Sequence, residues 1–64
     1  MESFEKLVRE ALEADGCIFI GTGKGDYDIW RANTSGVHFP VDLTIKSRRH
    51  ANNVLELGGV NHRI

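Results

Sequence analysis

Two stretches of this chain hold residue types that could do chemistry. Lys46-Ser47-Arg48-Arg49-His50 places three fixed positive charges and an imidazole within five positions. If a helix begins there, its unpaired backbone N–H groups and the positive end of its dipole add to the same field, which favours a phosphate. Cations at a helix start work against stability, where acids are preferred. The cluster therefore reads as an anion site, the alternative being an ordinary solvated surface. The second stretch, Gly21-Thr22-Gly23-Lys24-Gly25-Asp26, is a loop by composition, with three glycines able to take conformations that other residues avoid. It lacks the Gly-Lys-Ser/Thr of a P-loop and leads into a strand pattern rather than a helix, so a nucleotide cradle is not expected. Two readings stay open: a flexible hairpin tip, or a bare main chain that a polynucleotide backbone can approach, with Lys24 adding a charge.

Other candidates are weaker. Trp30 and Phe39 read as packing residues, with base stacking as the alternative that single-strand binders use. Asp26, Asp28 and Asp42 fall on different predicted elements, and pairing with Arg31 or Lys24 explains them as well as a carboxylate cluster does. Cys17, His38, His50 and His62 lack the clustered spacing of a zinc site. No metal and no cofactor is expected. The single cysteine cannot form an internal disulfide, so a reducing, cytoplasmic setting fits best and Cys17 reads as a small buried hydrophobe.

The elements that must position these residues are legible from spacing. Phe4, Leu7, Val8, Ala11 and Leu12 make one apolar stripe of a first helix, with Ser3 as N-cap and Gly16 as a left-handed stop. Cys17-Ile18-Phe19-Ile20 reads as a strand whose lack of alternation predicts burial on both faces, or a central place in the sheet. Tyr27-Asp28-Ile29-Trp30-Arg31 alternates, with Asp28 and Trp30 on one face. Asn33-Thr34-Ser35-Gly36 is a turn. Val37-His38-Phe39-Pro40-Val41 is a third strand that Pro40 assigns to an edge or a strand end. Ser47 caps a second helix carrying Ala51, Val54 and Leu55 at helical spacing, and Gly58-Gly59 ends it. The tail Val60–Ile64 is expected to fray.

The whole is 64 residues, 41% hydrophobic and 27% charged, enough for one domain, too apolar for disorder and too charged for a membrane span. The N-terminus is acidic and amphipathic, unlike a secretory signal. The net charge of −1 divides unevenly: residues 1–15 carry five acids and two bases, residues 16–64 four acids and six bases. The predicted architecture is an α+β, two-layer α-β-β-β-α domain over residues 1–64, a three-stranded antiparallel sheet with both helices on one face.

Gly23-Lys24-Gly25-Asp26-Tyr27-Asp28-Ile29-Trp30, then Phe39-Pro40-Val41, then Ile45-Lys46-Ser47-Arg48 with Ala51-Asn52, Val54-Leu55 and Gly58-Gly59, resembles the HicA toxins, over about Phe4 to Val60. The resemblance implies a fold like the double-stranded-RNA-binding domain. It also implies a metal-independent mRNA interferase activity within a type II toxin–antitoxin pair, and a HicB-like antitoxin as silencing partner. RNA phosphates would meet Gly23, Lys24, Gly25, Lys46, Ser47, Arg48 and Arg49. The family's catalytic histidine falls at the start of the second strand, where this chain has Tyr27. Metal-free RNA cleavage needs one group to take the 2′-hydroxyl proton and another to protonate the leaving oxygen. An ordinary phenol is only about one part in a thousand ionised at neutral pH, so tyrosine is a poor base. The substitution predicts retained RNA binding and slow cleavage, with His50 and His38 as auxiliary candidates. Two other classes of function compete with this one: a non-catalytic RNA-binding module, and an interaction domain that engages an acidic antitoxin.

Overall fold

The computed structural model describes residues 3–64. Helix α1 covers Glu5–Asp15, strands β1, β2 and β3 cover Ile18–Thr22, Tyr27–Arg31 and His38–Asp42, and helix α2 covers Arg48–Leu57. The strands pair antiparallel in the order β1-β2-β3, so the fold is α+β with the elements in the expected sequence.

Helix α1 buries Val8 and Leu12 completely, with Phe4 and Ala11 partly covered beside them. Leu7 departs from the expected stripe, since it is about half exposed at 49%. It lines an open groove with Ala11, Ala14, Val60 and Ile64. Ser3 is not the N-cap that the spacing predicts. Phe4 occupies the N-cap position, while the Ser3 hydroxyl accepts from the Glu5 N–H at 3.1 Å and from the Ile45 N–H at 3.2 Å. Phe4 N–H also donates to the Ile45 carbonyl at 2.7 Å. The start of α1 thus fixes buried Ile45, the anchor of the link into α2.

Both helices end in the same way. Gly16 takes φ 95° while the Gly16 and Cys17 N–H groups donate to the Glu13 and Leu12 carbonyls. Gly59 takes φ 71° while Gly59 and Val60 donate to Glu56 and Leu55. Each pair of bonds satisfies carbonyls that a helix end leaves orphaned, and each places a buried residue, Cys17 or Val60, just beyond the turn.

The sheet contributes Trp30, Phe39 and Val41 to the core, where they join Val8 and Leu12 of α1 and Ala51, Val54 and Leu55 of α2 in one buried cluster. Trp30 lies opposite Phe39 across β2 and β3, and at 2% and 3% exposure neither ring offers a face to a nucleobase. Cys17 is buried as expected, its Sγ 3.9 Å from the Gly58 carbonyl.

Two expectations are corrected. Strand β1 is neither central nor buried on both faces. Two successive hairpins give a meander in which the first strand is necessarily an edge, and Ile18, Phe19 and Ile20 are each about half exposed. A bulge between Phe19 and Gly21 shifts the phase of the pairing. Phe19 still reaches the core edge, with its ring 5.7 Å from that of Trp30 in a T-shaped arrangement. The tail is also not loose. Val60 is buried, Ile64 packs against the core, and the Ile64 N–H donates to Asn52 Oδ1 at 2.8 Å. Pro40 lies on edge strand β3, where a missing N–H costs no ladder bond to a further strand. Among the described residues no helix is long and apolar enough to cross a membrane.

Candidate nucleic-acid interface

The antiparallel order brings the β1–β2 turn, the start of β2 and the end of β3 to one end of the sheet. Backbone bonds extend the pairing past the strands there: Gly23 N–H donates to the Tyr27 carbonyl at 3.0 Å, and Leu43 N–H to the Asp26 carbonyl at 3.0 Å. The second bond fastens the link into α2 directly to the glycine hairpin. Within the hairpin only Gly25 needs its freedom of backbone, at φ 87°. Gly23 is needed for space: a Cβ built there would stand 2.3 Å from Cε1 of Tyr27. The phenol ring occupies the space that a side chain at position 23 would need.

Tyr27 pairs directly with Asp42 in the β2–β3 register, so the two side chains emerge side by side on one face. Oδ2 of Asp42 in turn stands 3.2 Å from Nε2 of His50. His50 reaches it because α2 starts where expected. Ser47 is extended at φ −126°, and its Oγ accepts from the His50 N–H at 3.0 Å. The structure therefore brings two pairs to one end of the sheet, Tyr27 against Gly23 on the β1 side of β2 and Asp42 against His50 on its β3 side. Asp42 and His50 are both partly open to solvent, at 51% and 41% side-chain exposure.

The basic residues surround these pairs in sequence and lie on the surface. Lys24, Lys46, Arg48 and Arg49 are all exposed, and among the described residues none of them makes an ion pair. The first turn of α2 contains no acid. Asp26 and Asp28 belong to the same hairpin, so this end carries four fixed cations against three carboxylates, with His50 as a further titratable donor.

Not every candidate is gathered here. His38 begins β3, opposite Arg31, while Asp42 ends it. Four residue steps of about 3.4 Å each separate them, so His38 lies at the far end of the sheet from Tyr27. The three aspartates do not converge: Asp28 shares the Trp30 face, Asp26 is on the turn, and Asp42 faces His50. Among the described residues, no three His, Cys, Asp or Glu side chains form a group that could hold a metal.

The pairing of Asp42 with His50 is the feature that sequence reasoning missed. The β2–β3 register, closed by Asn33–Gly36, sets Tyr27 beside Asp42, but nothing in the sequence signals that His50 of α2 meets the same carboxylate. Chemically, this end of the sheet offers a carboxylate-bound imidazole, a phenol and a bare main chain within a cationic surround. No protein-family model, no curated protein and no solved structure matches the chain.

Proposed function

We propose that this domain is a HicA-type endoribonuclease of the bacterial cytoplasm, metal-independent in its action on mRNA, slow because Tyr27 stands at the catalytic position, and silenced by a HicB-like antitoxin. The observation that carries the reading is that the glycine hairpin and the start of α2 lie at one end of the sheet, tied by the Leu43–Asp26 backbone bond and the Asp42–His50 contact. A polyanion laid across that end would meet Lys24 on one side and Lys46, Arg48 and Arg49 on the other, with unpaired N–H groups of α2 behind them. Supporting it are the cations at a helix start, which stability alone does not favour, and the absence of acid partners for them among the described residues. The fold class agrees with the family's double-stranded-RNA-binding-like architecture, which belongs to the same proposal.

The test is cleavage of a single-stranded mRNA by the native chain and by Tyr27→His. The reading expects RNA binding by both, slow cleavage by the native chain and faster cleavage by the variant, within the roughly 10²–10⁴-fold that a well-placed acid–base group contributes. Growth arrest on expressing Tyr27→His, relieved by a HicB-like partner, is the cellular counterpart. If neither protein cuts RNA and the variant is harmless in bacteria, the toxin reading fails. The phenol at position 27 favours one second reading, a non-catalytic RNA-binding module, which predicts salt-sensitive binding with no cleavage by either protein.

A further inference from the structure

The groove between α1 and the tail lies away from the glycine hairpin. Asn33 Nδ2 donates to the Asp15 carbonyl at 2.9 Å, so α1 ends beside the β2–β3 turn, at the other end of the sheet. Leu7, Glu10, Ala11 and Ala14 stand at i, i+3, i+4 and i+7 on one face of α1 and line the groove. The facing wall is the tail, fixed by buried Val60 and by the Ile64 N–H, which donates to Asn52 Oδ1 at 2.8 Å. Both walls are therefore in place before any partner arrives, and Leu7 is left half exposed between them.

The charges here are as poorly placed for stability as those at the start of α2, and of opposite sign. The last turn of α1 holds Glu13 and Asp15 and no base, although the negative end of a helix dipole disfavours acids. Glu10 and Asp15 both line the groove, and among the described residues neither pairs with a base. The tail wall adds Asn61 and His62, which carry no fixed charge. An apolar floor beside unpaired acids and the negative end of a helix suits a ligand with an apolar face and a cationic edge. The groove is open along one side, so it does not enclose a small molecule. A helix supplies the missing wall and satisfies its own backbone groups. We propose that the groove docks a basic amphipathic helix of another protein, its apolar side chains on Leu7, Val60 and Ile64 and its lysines or arginines at Glu10 and Asp15. The small side chains of Ala11 and Ala14 let that helix approach α1 closely. A second copy of this chain does not supply such a helix, since its α1 is acidic and the apolar residues Ala51, Val54 and Leu55 of its α2 are buried in its own core.

The experiment titrates the chain with a synthetic helical peptide that carries leucines at i, i+3, i+4 and i+7 and lysines elsewhere. A second peptide has glutamates in place of the lysines, and a third keeps the lysines and lacks the leucines. NMR shifts locate the contact and fluorescence anisotropy gives the affinity. The leucine–lysine peptide should shift Leu7, Ala11, Ala14, Val60 and Ile64, leave Gly23–Tyr27 unmoved, and bind more tightly than either of the others by about tenfold or more. Glu10→Gln with Asp15→Asn should weaken that binding by about 3–10-fold, as two lost surface ion pairs would. Leu7→Gln should weaken it by about 3–10-fold, as half the burial of a leucine would. Asp15→Asn should hold or raise the thermal midpoint, since it removes an acid from the wrong end of the dipole. Should it lower the midpoint, that acid is structural, and Glu10→Gln and Leu7→Gln decide. Equal affinity for the lysine and glutamate peptides, shifts centred away from the groove, or no binding of the leucine–lysine peptide up to about 1 mM overturns the proposal. Groove shifts that grow with protein concentration alone assign the groove to a second copy and overturn it as well.

Discussion

Substituting Gly23 by alanine probes the Tyr27 contact through its packing alone. Gly23 does not take a positive φ, so its backbone accepts an alanine without strain. The obstacle is the Tyr27 ring, whose Cε1, Cζ and Cδ1 would lie 2.3, 2.8 and 2.9 Å from the new methyl group. Carbon pairs settle at about 3.5–4.0 Å, so the ring must retreat by more than about 1 Å. It is only partly buried and can swing outward, which puts the cost near the low end of the 1–3 kcal/mol typical of overpacking, about 1 kcal/mol. For a domain of this size that lowers Tm by about 4–8 °C. In a Tyr27→Ala background the clash is gone, and the same change should be neutral or stabilising by about 0.4–1 kcal/mol, because alanine narrows the unfolded ensemble. The double-mutant cycle, followed by urea unfolding of the single buried tryptophan, should therefore give a coupling of about 1–2 kcal/mol. An equal cost for Gly23→Ala in both backgrounds would refute the idea that the ring rests on the missing side chain.

Three further outcomes are expected. Ser47→Ala removes the hydroxyl that accepts from the His50 N–H and should cost about 1 kcal/mol in chemical denaturation. If Lys24, Lys46, Arg48 and Arg49 each neutralise one phosphate, log K for single-stranded RNA should fall with log salt at a slope near −2.8, and Arg48→Gln with Arg49→Gln should halve it to about −1.4. A slope unchanged by the pair of substitutions excludes those two arginines from the contact. Strand β1 is an unpaired edge with no charged residue between Gly16 and Gly23 and three half-exposed apolar side chains. Ile20→Lys should suppress self-association at high concentration, measured by light scattering, with little change in Tm.

How much could be read in advance depended on how local the controlling physics was. Ser47, Gly16 and Gly59 act through bonds to residues within a few positions, and the helix ends they set were legible. The β2 boundaries and the core roles of Trp30 and Phe39 followed from alternation, which the pleat imposes regardless of context. Strand β1 was misjudged because an apolar run signals burial only if the topology supplies neighbours on both sides. A three-strand meander supplies one. Leu7 was misjudged for a related reason: a stripe of five positions is wider than the surface that a small core can cover. The tail looked free because nothing local in Val60–Ile64 marks it, whereas Asn52, twelve residues from Ile64, holds it in place. In the site, the basic start of α2 was visible as a charge pattern. The Asp42–His50 pair was not, since its partners stand on a strand and a helix joined by an irregular link, and only the anchoring of Ile45 to Ser3 and of Leu43 to Asp26 sets their approach.

The central claim is that the glycine hairpin and the start of α2 act as one polyanion-binding surface around Tyr27, Asp42 and His50. Amide and side-chain NMR shifts during titration with a single-stranded RNA oligonucleotide test it most directly. The account predicts shifts concentrated in Gly23–Tyr27, Asp42 and Lys46–His50, saturating together with a single affinity, while the groove between α1 and the tail stays unmoved. Shifts centred on that groove or on β1, separate affinities for the hairpin and for α2, or no shifts at all would contradict it.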